Sequence, residues 1–152
     1  MIPKKRNERT PKSLSLRIPS DVNALEKVED FAGAVWEKAV GPRVKSERGR
    51  LQEHFVKLAL HEACLNIMRH AYNNDPSKEI KIESRIFGDK VEFYIKDKGK
   101  RFNYITGAGL GFTEVPKESG YGLPLITALM DKINYHSGRL KGNVFKLTKR
   151  FI

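Results

Sequence analysis

Three polar side chains recur at intervals of four along a stretch whose other residues are mostly apolar. Glu62, Asn66 and His70 would form one line along a helix, because positions four apart lie on the same helical face. Burying a carboxylate or an amide without a partner costs on the order of several kcal/mol, so such a line favours a ligand, metal or water beside it. The amide oxygen of Asn66 suits Mg²⁺, and the Glu62 carboxylate can accept a proton. The alternative is that Asn66 and His70 bond nearby backbone while Glu62 reaches solvent.

A second candidate lies at the end of a predicted strand. Asp97 ends this strand, and Gly99 follows two positions later. The carboxylate could accept a hydrogen bond from an exocyclic amine, and Gly99 would let the backbone approach a flat ring. The alternative is an ordinary turn between two elements.

A third candidate is the pair Gly120 and Gly122, which stands at the head of an apolar segment predicted to be helical. Free backbone N–H groups and the positive end of the helix dipole would suit phosphate oxygens there. The same pair could equally be an ordinary junction between a loop and a helix.

The elements that must position these groups follow from hydrophobic periodicity, with period two for strands and 3.6 for helices. A segment at about 100–119 has no regular period and holds three glycines and one proline, which is typical of a functional loop and is interpreted as a lid. In chain order the remaining predictions are a strand at 14–18, a helix at about 22–40, a basic connector at 41–50, a long buried helix at 51–72, a hairpin with strands at 80–86 and 91–97, a helix at about 123–133, and strands near 134–137 and 143–151. This order predicts an α/β (α+β) two-layer sandwich, in which a mixed, mainly antiparallel sheet has three helices on one face.

Composition restricts the class of protein. A chain of 152 residues with 39% hydrophobic residues fits one domain with one core. The sequence contains neither an apolar run long enough to span a membrane nor a secretory signal at its start, so we expect a soluble, cytoplasmic protein without membrane association. Cys64 is the only cysteine, which excludes an intrachain disulfide, and it is interpreted as a small core residue.

The formal net charge of +11 makes nucleotides, acidic protein surfaces and nucleic acid plausible partners. Residues 1–12 are predicted to form a basic flexible tail, and the domain is predicted to span 13–152. Direct nucleic-acid binding is not expected as the primary role, because no helix-turn-helix, zinc or RNP-like pattern accompanies the charge. The four histidines lack the spacing of zinc ligands.

Three sequence motifs taken together resemble the GHKL (Bergerat-fold) ATPases. Residues 62–72 (EACLNIMRHAY) resemble the N box, residues 97–102 (DKGKRF) the first glycine box, and residues 119–123 (SGYGL) the second. Their order and spacing fit that superfamily, as does a lid between the last two. The segments at 14–20 (LSLRIPS) and 128–135 (ALMDKINY) bring the match closest to the anti-sigma-factor serine/threonine kinases.

This resemblance implies roles for individual residues. Glu62 would be the general base, Asn66 the Mg²⁺ ligand and Asp97 the adenine acceptor. The residues implied to bind the nucleotide are Asn66, His70, Asp97, Gly99, Phe102, Lys117, Gly120, Tyr121, Gly122, Leu123 and Asn143. Of these, Lys117 in the lid is the candidate for neutralising the γ-phosphate.

The chain departs from the family pattern at three places. Arg101 stands where many members have a second glycine. Asn143 and Val144 stand near the place where relatives have a threonine that bonds an adenine-linked water. The connector at 41–50 is longer and more basic than usual.

The function implied by the resemblance is ATP- and Mg²⁺-dependent phosphorylation of a Ser or Thr on a small anti-sigma-factor antagonist of the STAS type. A sigma factor would be the second partner, and the chain would form a homodimer. The alternative is a non-catalytic nucleotide-binding module that sequesters a sigma factor or another regulator and transfers nothing.

Overall fold

The computed structural model describes residues 10–101, 122–138 and 140–151. Five strands form one sheet: β1 (Lys12–Pro19), β2 (Glu79–Ile86), β3 (Lys90–Asp97), β4 (Lys132–Gly138) and β5 (Gly142–Arg150). Three α-helices lie in the described residues: α1 (Leu25–Val40), α2 (Glu47–Asn66) and α3 (Gly122–Leu129). Short 3₁₀ turns occupy Val22–Ala24 and Gly41–Lys45, and a π-helical segment at Ile67–Ala71 extends α2.

The strand order is β1-β2-β3-β5-β4, and every pairing among the described strands is antiparallel. The two-layer α/β sandwich predicted from the sequence is confirmed. The sheet is antiparallel throughout these strands, whereas the sequence prediction allowed a mixed sheet.

Alternating burial assigns the two faces of the sheet. Ile82 lies opposite Ile95, and Phe93 lies opposite Leu147, and all four are fully buried on the face covered by helices. Helices α1 and α2 pack against each other, and α2 packs against α3. The opposite face carries charged residues joined in ion pairs: Lys81–Glu83 (2.9 Å), Lys96–Glu83 (3.0 Å), Lys146–Glu92 (3.2 Å) and Lys90–Glu92 (3.6 Å). We call this second surface the open face.

Local contacts explain where the helices begin and end. The Asp21 carboxylate accepts from the Asn23 backbone N–H at 2.9 Å, and the Ser46 hydroxyl accepts from the Gly49 backbone N–H at 2.9 Å, so each residue caps a helical start. Because Ser46 supplies this cap, α2 begins at Glu47, inside the predicted connector. Helix α3 ends at Leu129 rather than near 133, because the Asp131 backbone already bonds across to Thr148 at 2.9 Å.

The connector is held against the core by Trp36. This fully buried indole donates from Nε1 to the Gly49 carbonyl at 3.2 Å and meets Phe151 edge to face at 5.9 Å between ring centroids. The contact ties α1 to the first turn of α2 and to the end of the sheet. The predicted tail lies outside the described residues up to position 9, and Lys12 already belongs to β1. No helix in the described part of the chain is long and apolar enough to cross a bilayer.

Candidate functional site

Asp97 lies at the end of β3 on the helix-covered face and is only 4% exposed. Its Oδ1 accepts from the Gly99 backbone N–H at 2.9 Å and from Asn143 Nδ2 at 2.8 Å. Burial raises the pKa of Asp97, while the hydrogen bonds from Asn143 and Gly99 favour the charged form and oppose that increase. No donor to Oδ2 occurs among the described residues. We call the segment 97–99 the Asp97 corner.

Asn143 lies directly opposite Asp97 on β5 and opposite Ser137 on β4. Besides Asp97, its Nδ2 donates to the Gly99 carbonyl at 3.1 Å, and its Oδ1 accepts from the Ser137 hydroxyl at 2.7 Å. Three strands thus contribute a hydrogen-bonded row that ends at Asp97. The amide lies beside the Asp97 corner, but protein groups use both of its N–H donors. Direct contact between Asn143 and a nucleotide stays a prediction.

Gly99 lies against the end of the π-helical segment. A Cβ on Gly99 would overlap the Ala71 carbonyl oxygen and would lie 2.6 Å from the carbonyl carbon, closer than real Cβ atoms approach. The next residue, Lys100, donates its backbone N–H to the same Ala71 carbonyl at 2.8 Å. The glycine therefore allows the Asp97 corner to approach the end of α2.

The Tyr72 hydroxyl bridges two strands at this junction. It accepts from the Lys98 backbone N–H and donates to the Glu79 carbonyl, both at 2.7 Å. Burial raises the pKa of Tyr72, and the charges of Asp97 and Glu79 act in the same direction, against the hydrogen bond from Lys98. Tyr72 therefore attaches the end of α2 to both the Asp97 corner and the start of β2.

Asn66 and Glu62 lie on α2, one and two turns before this junction. Asn66 is 9% exposed, and its Nδ2 has no hydrogen-bond partner among the described residues. Glu62 is half-buried, and no described ion pair or hydrogen bond involves its carboxylate. A buried, unpartnered amide nitrogen is costly, so the site needs a group to bond it. The amide nitrogen of Asn66 could therefore donate to a ligand or a water, and its amide oxygen could hold a metal ion.

His70 departs from the predicted straight line. The α-helix ends at Asn66, and His70 falls in the π-helical segment, where the Tyr72 backbone N–H bonds Ile67 O at 3.0 Å, five residues back. A π turn holds more residues than an α turn, so His70 is rotated relative to Glu62 and Asn66. The structure gives His70 an interaction with another group, so it is not without a partner.

The second glycine box is covered only in part. Gly122 and Leu123 are the first two residues of α3. The described residues stop at Arg101 and resume at Gly122. The predicted lid at about 100–119 therefore lies outside them beyond Arg101, as do Phe102, Lys117, Gly120 and Tyr121. Their assigned roles stay predictions.

Sequence reasoning assigned no role to Tyr72, Ser137 or Gly142. Gly142 has a φ of +76°, and a Cβ there would lie 2.5 Å from the Asp97 carbonyl oxygen, so it packs against the corner. The sequence feature that could have indicated a role for Ser137 was its position across a short turn from Asn143. Tyr72 lies within the N-box-like string, but one of the residues that its hydroxyl contacts, Lys98, is distant in sequence, so no local pattern indicated its role.

Comparison with known proteins finds relatives that share part of this chain's sequence. A serine-protein kinase RsbW from Bacillus mycoides (strain KBAB4) is 39% identical over 85 residues, which cover 51% of this chain and 52% of the relative. Its counterpart from Oceanobacillus iheyensis is 40% identical over 92 residues, covering 55% and 58%, respectively. Serine-protein kinase RsbW from Bacillus subtilis (strain 168) is 34% identical over 92 residues with the same coverage. The chain thus matches little more than half the length of these relatives.

A family model covers far more of the chain than these pairwise matches. The model of the histidine kinase-like ATPase domain matches residues 18–149, a span that contains α1 to α3, β2 to β4 and all of β5 except Arg150, and with them Asn66 and the Asp97 corner. The chain belongs to the histidine kinase-like ATPase domain family.

Proposed function

We propose that this chain is an ATP-dependent serine/threonine protein kinase that acts as an anti-sigma factor and phosphorylates a small antagonist protein of the STAS type. One observation carries the proposal. The helix that bears Glu62 and Asn66 is joined at its end to the Asp97 corner, through the Lys100–Ala71 backbone bond and the Tyr72 hydroxyl. The helix that carries the proposed base and metal ligand is therefore hydrogen-bonded to the segment that carries the proposed adenine acceptor.

Distances along α2 suit an extended nucleotide. At about 1.5 Å per residue, Glu62 lies roughly 6 Å before Asn66 along the axis of α2, on the side away from Ala71. A purine at the Asp97 corner would therefore have its phosphates toward Asn66, with Glu62 beyond them. Oδ2 of Asp97 would accept from the exocyclic amine of adenine.

Asn66 is the residue we assign to Mg²⁺. Its amide oxygen is a suitable hard ligand, and its unpartnered nitrogen would donate to a phosphate oxygen. No cluster of three or more His, Cys, Asp and Glu that could hold a metal occurs in the described ranges. The ion would therefore depend on nucleotide phosphates and water for its remaining ligands, and it would supply charge neutralisation during phosphoryl transfer.

Glu62 is the proposed general base. It would orient the hydroxyl of the acceptor protein and take its proton as the phosphoryl group is transferred. Lys117 is proposed to neutralise the γ-phosphate, and backbone N–H groups near Gly120 and Gly122 are proposed to bind the phosphates. A sigma factor as second partner and a homodimeric state are proposed on the basis of the family resemblance alone.

Nucleotide binding is the first requirement, and titration calorimetry tests it. We expect the parent chain to bind ATP and ADP, with Mg²⁺ increasing the affinity for ATP. Asp97→Asn should weaken the binding of ATP and of ADP at least about tenfold. The asparagine NH₂ group would replace the accepting Oδ2 and would face the exocyclic amine of adenine, which is also a donor. Absence of binding by the parent would refute the proposal.

Transfer is tested with Glu62→Gln, which keeps the size of the side chain and removes the base. With [γ-³²P]ATP and the cognate antagonist protein, labelling should fall at least about 100-fold, the lower range for loss of a general base, while calorimetric ATP affinity stays within about threefold. Glu53→Gln, a change on the same helix at a salt-bridged position, is the matched control. Labelling by Glu62→Gln at the parental rate would contradict the assigned base. Nucleotide binding by the parent without any labelling would leave the alternative of a sequestering module.

A further inference from the structure

The row of side chains behind Asp97 has a geometry that no assigned role explains. Asn143 donates both of its amide N–H groups, one to Asp97 Oδ1 at 2.8 Å and one to the Gly99 carbonyl at 3.1 Å. Its oxygen accepts from the Ser137 hydroxyl at 2.7 Å. Asn143 is 2% exposed, so all three bonds are sheltered from water.

These partners permit only one orientation of the amide. Rotating it by 180° would place its oxygen against the Asp97 carboxylate and the Gly99 carbonyl, both of which are acceptors. The same rotation would remove the acceptor from the Ser137 hydroxyl. Ser137 therefore supports the orientation in which Asn143 is a donor to Asp97.

The two carboxylate oxygens of Asp97 therefore differ in their hydrogen bonds. Oδ1 accepts from Gly99 and Asn143, which together fix the plane of the carboxylate. Oδ2 is left without a donor from any described residue. We propose that Ser137 and Asn143 are a positioning pair that holds Asp97 so that Oδ2 accepts from the amino group of an adenine nucleotide, and that they set the preference for adenine over 6-oxopurines. This inference rests on the proposed nucleotide binding and adds residues that select the base.

The pair also affects the protonation of Asp97. Burial raises the pKa of this carboxyl, and the Asn143 hydrogen bond opposes the increase, so removing Asn143 should raise the pKa further. A protonated Asp97 would have a hydroxyl in place of an acceptor. The affinity for adenine nucleotides should then be lost at a higher pH than in the parent.

Other titratable groups also lie around Asp97. Those on the elements packed against it, and on its own segment, are His70, Tyr72, Lys98, Lys100 and Lys141. The described electrostatic interaction with Asp97 comes from Tyr72, and Lys98, Lys100 and Lys141 are exposed. Since Tyr72 and His70 are unchanged in the variants below, a shift between variants reports on the positioning pair.

The experiment is calorimetric titration of the full chain with ADP and with inosine diphosphate, which carries a 6-oxo group, from about pH 4.5 to about pH 8.5, so that the range extends toward the ordinary pKa of a carboxyl group. The variants are Asn143→Ala, Ser137→Ala and the hydroxyl-preserving Ser137→Thr. Asn134→Ala is the matched control, since Asn134 lies on the adjacent strand but is exposed on the open face. Thermal melting of each variant checks that it is folded.

We expect Asn143→Ala to weaken ADP binding at least about tenfold at pH 7.5, equivalent to about 1.4 kcal/mol. Inosine diphosphate binding should change little, so the ratio of affinities falls, and the acid limb of ADP binding should move to higher pH. Ser137→Ala should also lower the ratio of ADP to inosine diphosphate affinity and move the acid limb to higher pH, each by a smaller amount. Ser137→Thr and Asn134→Ala should behave like the parent.

The two proposals fail in different ways. If the parent binds neither nucleotide, the proposed function is wrong, and the positioning pair is wrong with it. If the parent prefers ADP but Asn143→Ala and Ser137→Ala keep its ratio and pH profile, only the positioning pair is overturned. Equal weakening of both nucleotides by the variants would indicate a purely structural role and would also overturn it. If Asn143→Ala does not fold, comparison of Ser137→Ala with Ser137→Thr decides the question.

Discussion

Unsatisfied polar atoms of buried side chains mark the site at the scale of single residues. Within the described residues, the buried side-chain atoms without a hydrogen-bond partner are Ser20 Oγ and Asn66 Nδ2. Each such atom is costly, and the one on Asn66 lies on the helix that reaches the Asp97 corner. The sequence could indicate that Asn66 was a costly residue in an apolar helix. It could not show that its nitrogen lacks a partner, because that depends on every neighbouring element.

Gly99→Ala tests the approach of the corner to α2. The added Cβ would overlap the Ala71 carbonyl, which is backbone and cannot rotate away, so the corner must move. We expect ADP affinity to fall at least about tenfold, and the free energy of unfolding to fall by about 1–3 kcal/mol, as for other overpacked sites. Calorimetry and urea unfolding measure the two effects.

Gly88→Ala is the control for this substitution. Gly88 lies between β2 and β3, and a Cβ there meets nothing within 4 Å. It should leave ADP affinity unchanged and alter the stability by less than about 1 kcal/mol. Parental ADP affinity in Gly99→Ala would show that the close approach to Ala71 is not needed for binding.

The π-helical segment is the main feature at the scale of elements. This segment ends α2 with a turn whose hydrogen bond spans five residues. Asn73 and Asn74 follow it and adopt positive φ values of 51° and 59°. Asparagine tolerates this conformation better than most residues. The wider turn directs the Ala71 carbonyl and the Tyr72 side chain toward residues 98–100, where both make hydrogen bonds.

Much of this element order was predictable, because alternation and helical spacing are local signals. The hairpin of β2 and β3 was predicted, and so was the break after Tyr72. The π register was not, because the string from Ile67 to Ala71 carries the same residue types as an α-helix. The start of α2 was missed because the charged connector has no apolar period, although Ser46 is a suitable cap. For the candidate site, Asp97 and Gly99 were predicted individually, whereas their bonds to Tyr72 and Asn143 arise from strand register.

Tyr72→Phe tests the attachment of α2 to the sheet. Removing the hydroxyl leaves the Lys98 N–H without its acceptor and the Glu79 carbonyl without its donor, which should lower the free energy of unfolding by about 1–3 kcal/mol. Loosening the corner should also weaken ADP binding about three- to tenfold. Tyr94→Phe is the matched control, since that hydroxyl donates to Glu92 at 2.6 Å on the open face. Equal ADP affinities for the two variants would contradict the role assigned to Tyr72.

The two faces of the sheet differ at the scale of the whole molecule. The covered face contains the apolar core and the candidate site, while the open face carries glutamates that each pair with two lysines. With a net charge of +11, the chain has far more cations than carboxylates, so each paired glutamate relieves repulsion among lysines. The stability of the fold should therefore depend on these carboxylates being ionised.

Glu92 gives the sharpest case, because its side chain is only 9% exposed and contacts Lys90, Lys146 and Tyr94. Burial alone would raise the pKa of Glu92, but the hydrogen bonds from Tyr94 and Lys146 and the charges of both lysines outweigh it and lower the pKa below its ordinary value of 4.5. A carboxyl with a lowered folded pKa adds stability above its unfolded pKa and loses that contribution as the pH falls through the folded pKa.

Glu92→Gln should therefore lower the free energy of unfolding by about 1–2 kcal/mol at pH 7, and the difference from the parent should shrink as the pH falls below about 4.5 and through the lowered folded pKa of Glu92. Urea unfolding at several pH values in low salt measures this. Glu79→Gln removes the same charge from an exposed pair with Arg17 at 3.2 Å, where both side chains are more than half exposed, and should change the stability by less than about 1 kcal/mol. If the destabilisation by Glu92→Gln does not shrink as the pH falls below about 4.5, or is no greater than that of Glu79→Gln at pH 7, the ionised glutamate on the open face does not stabilise the fold.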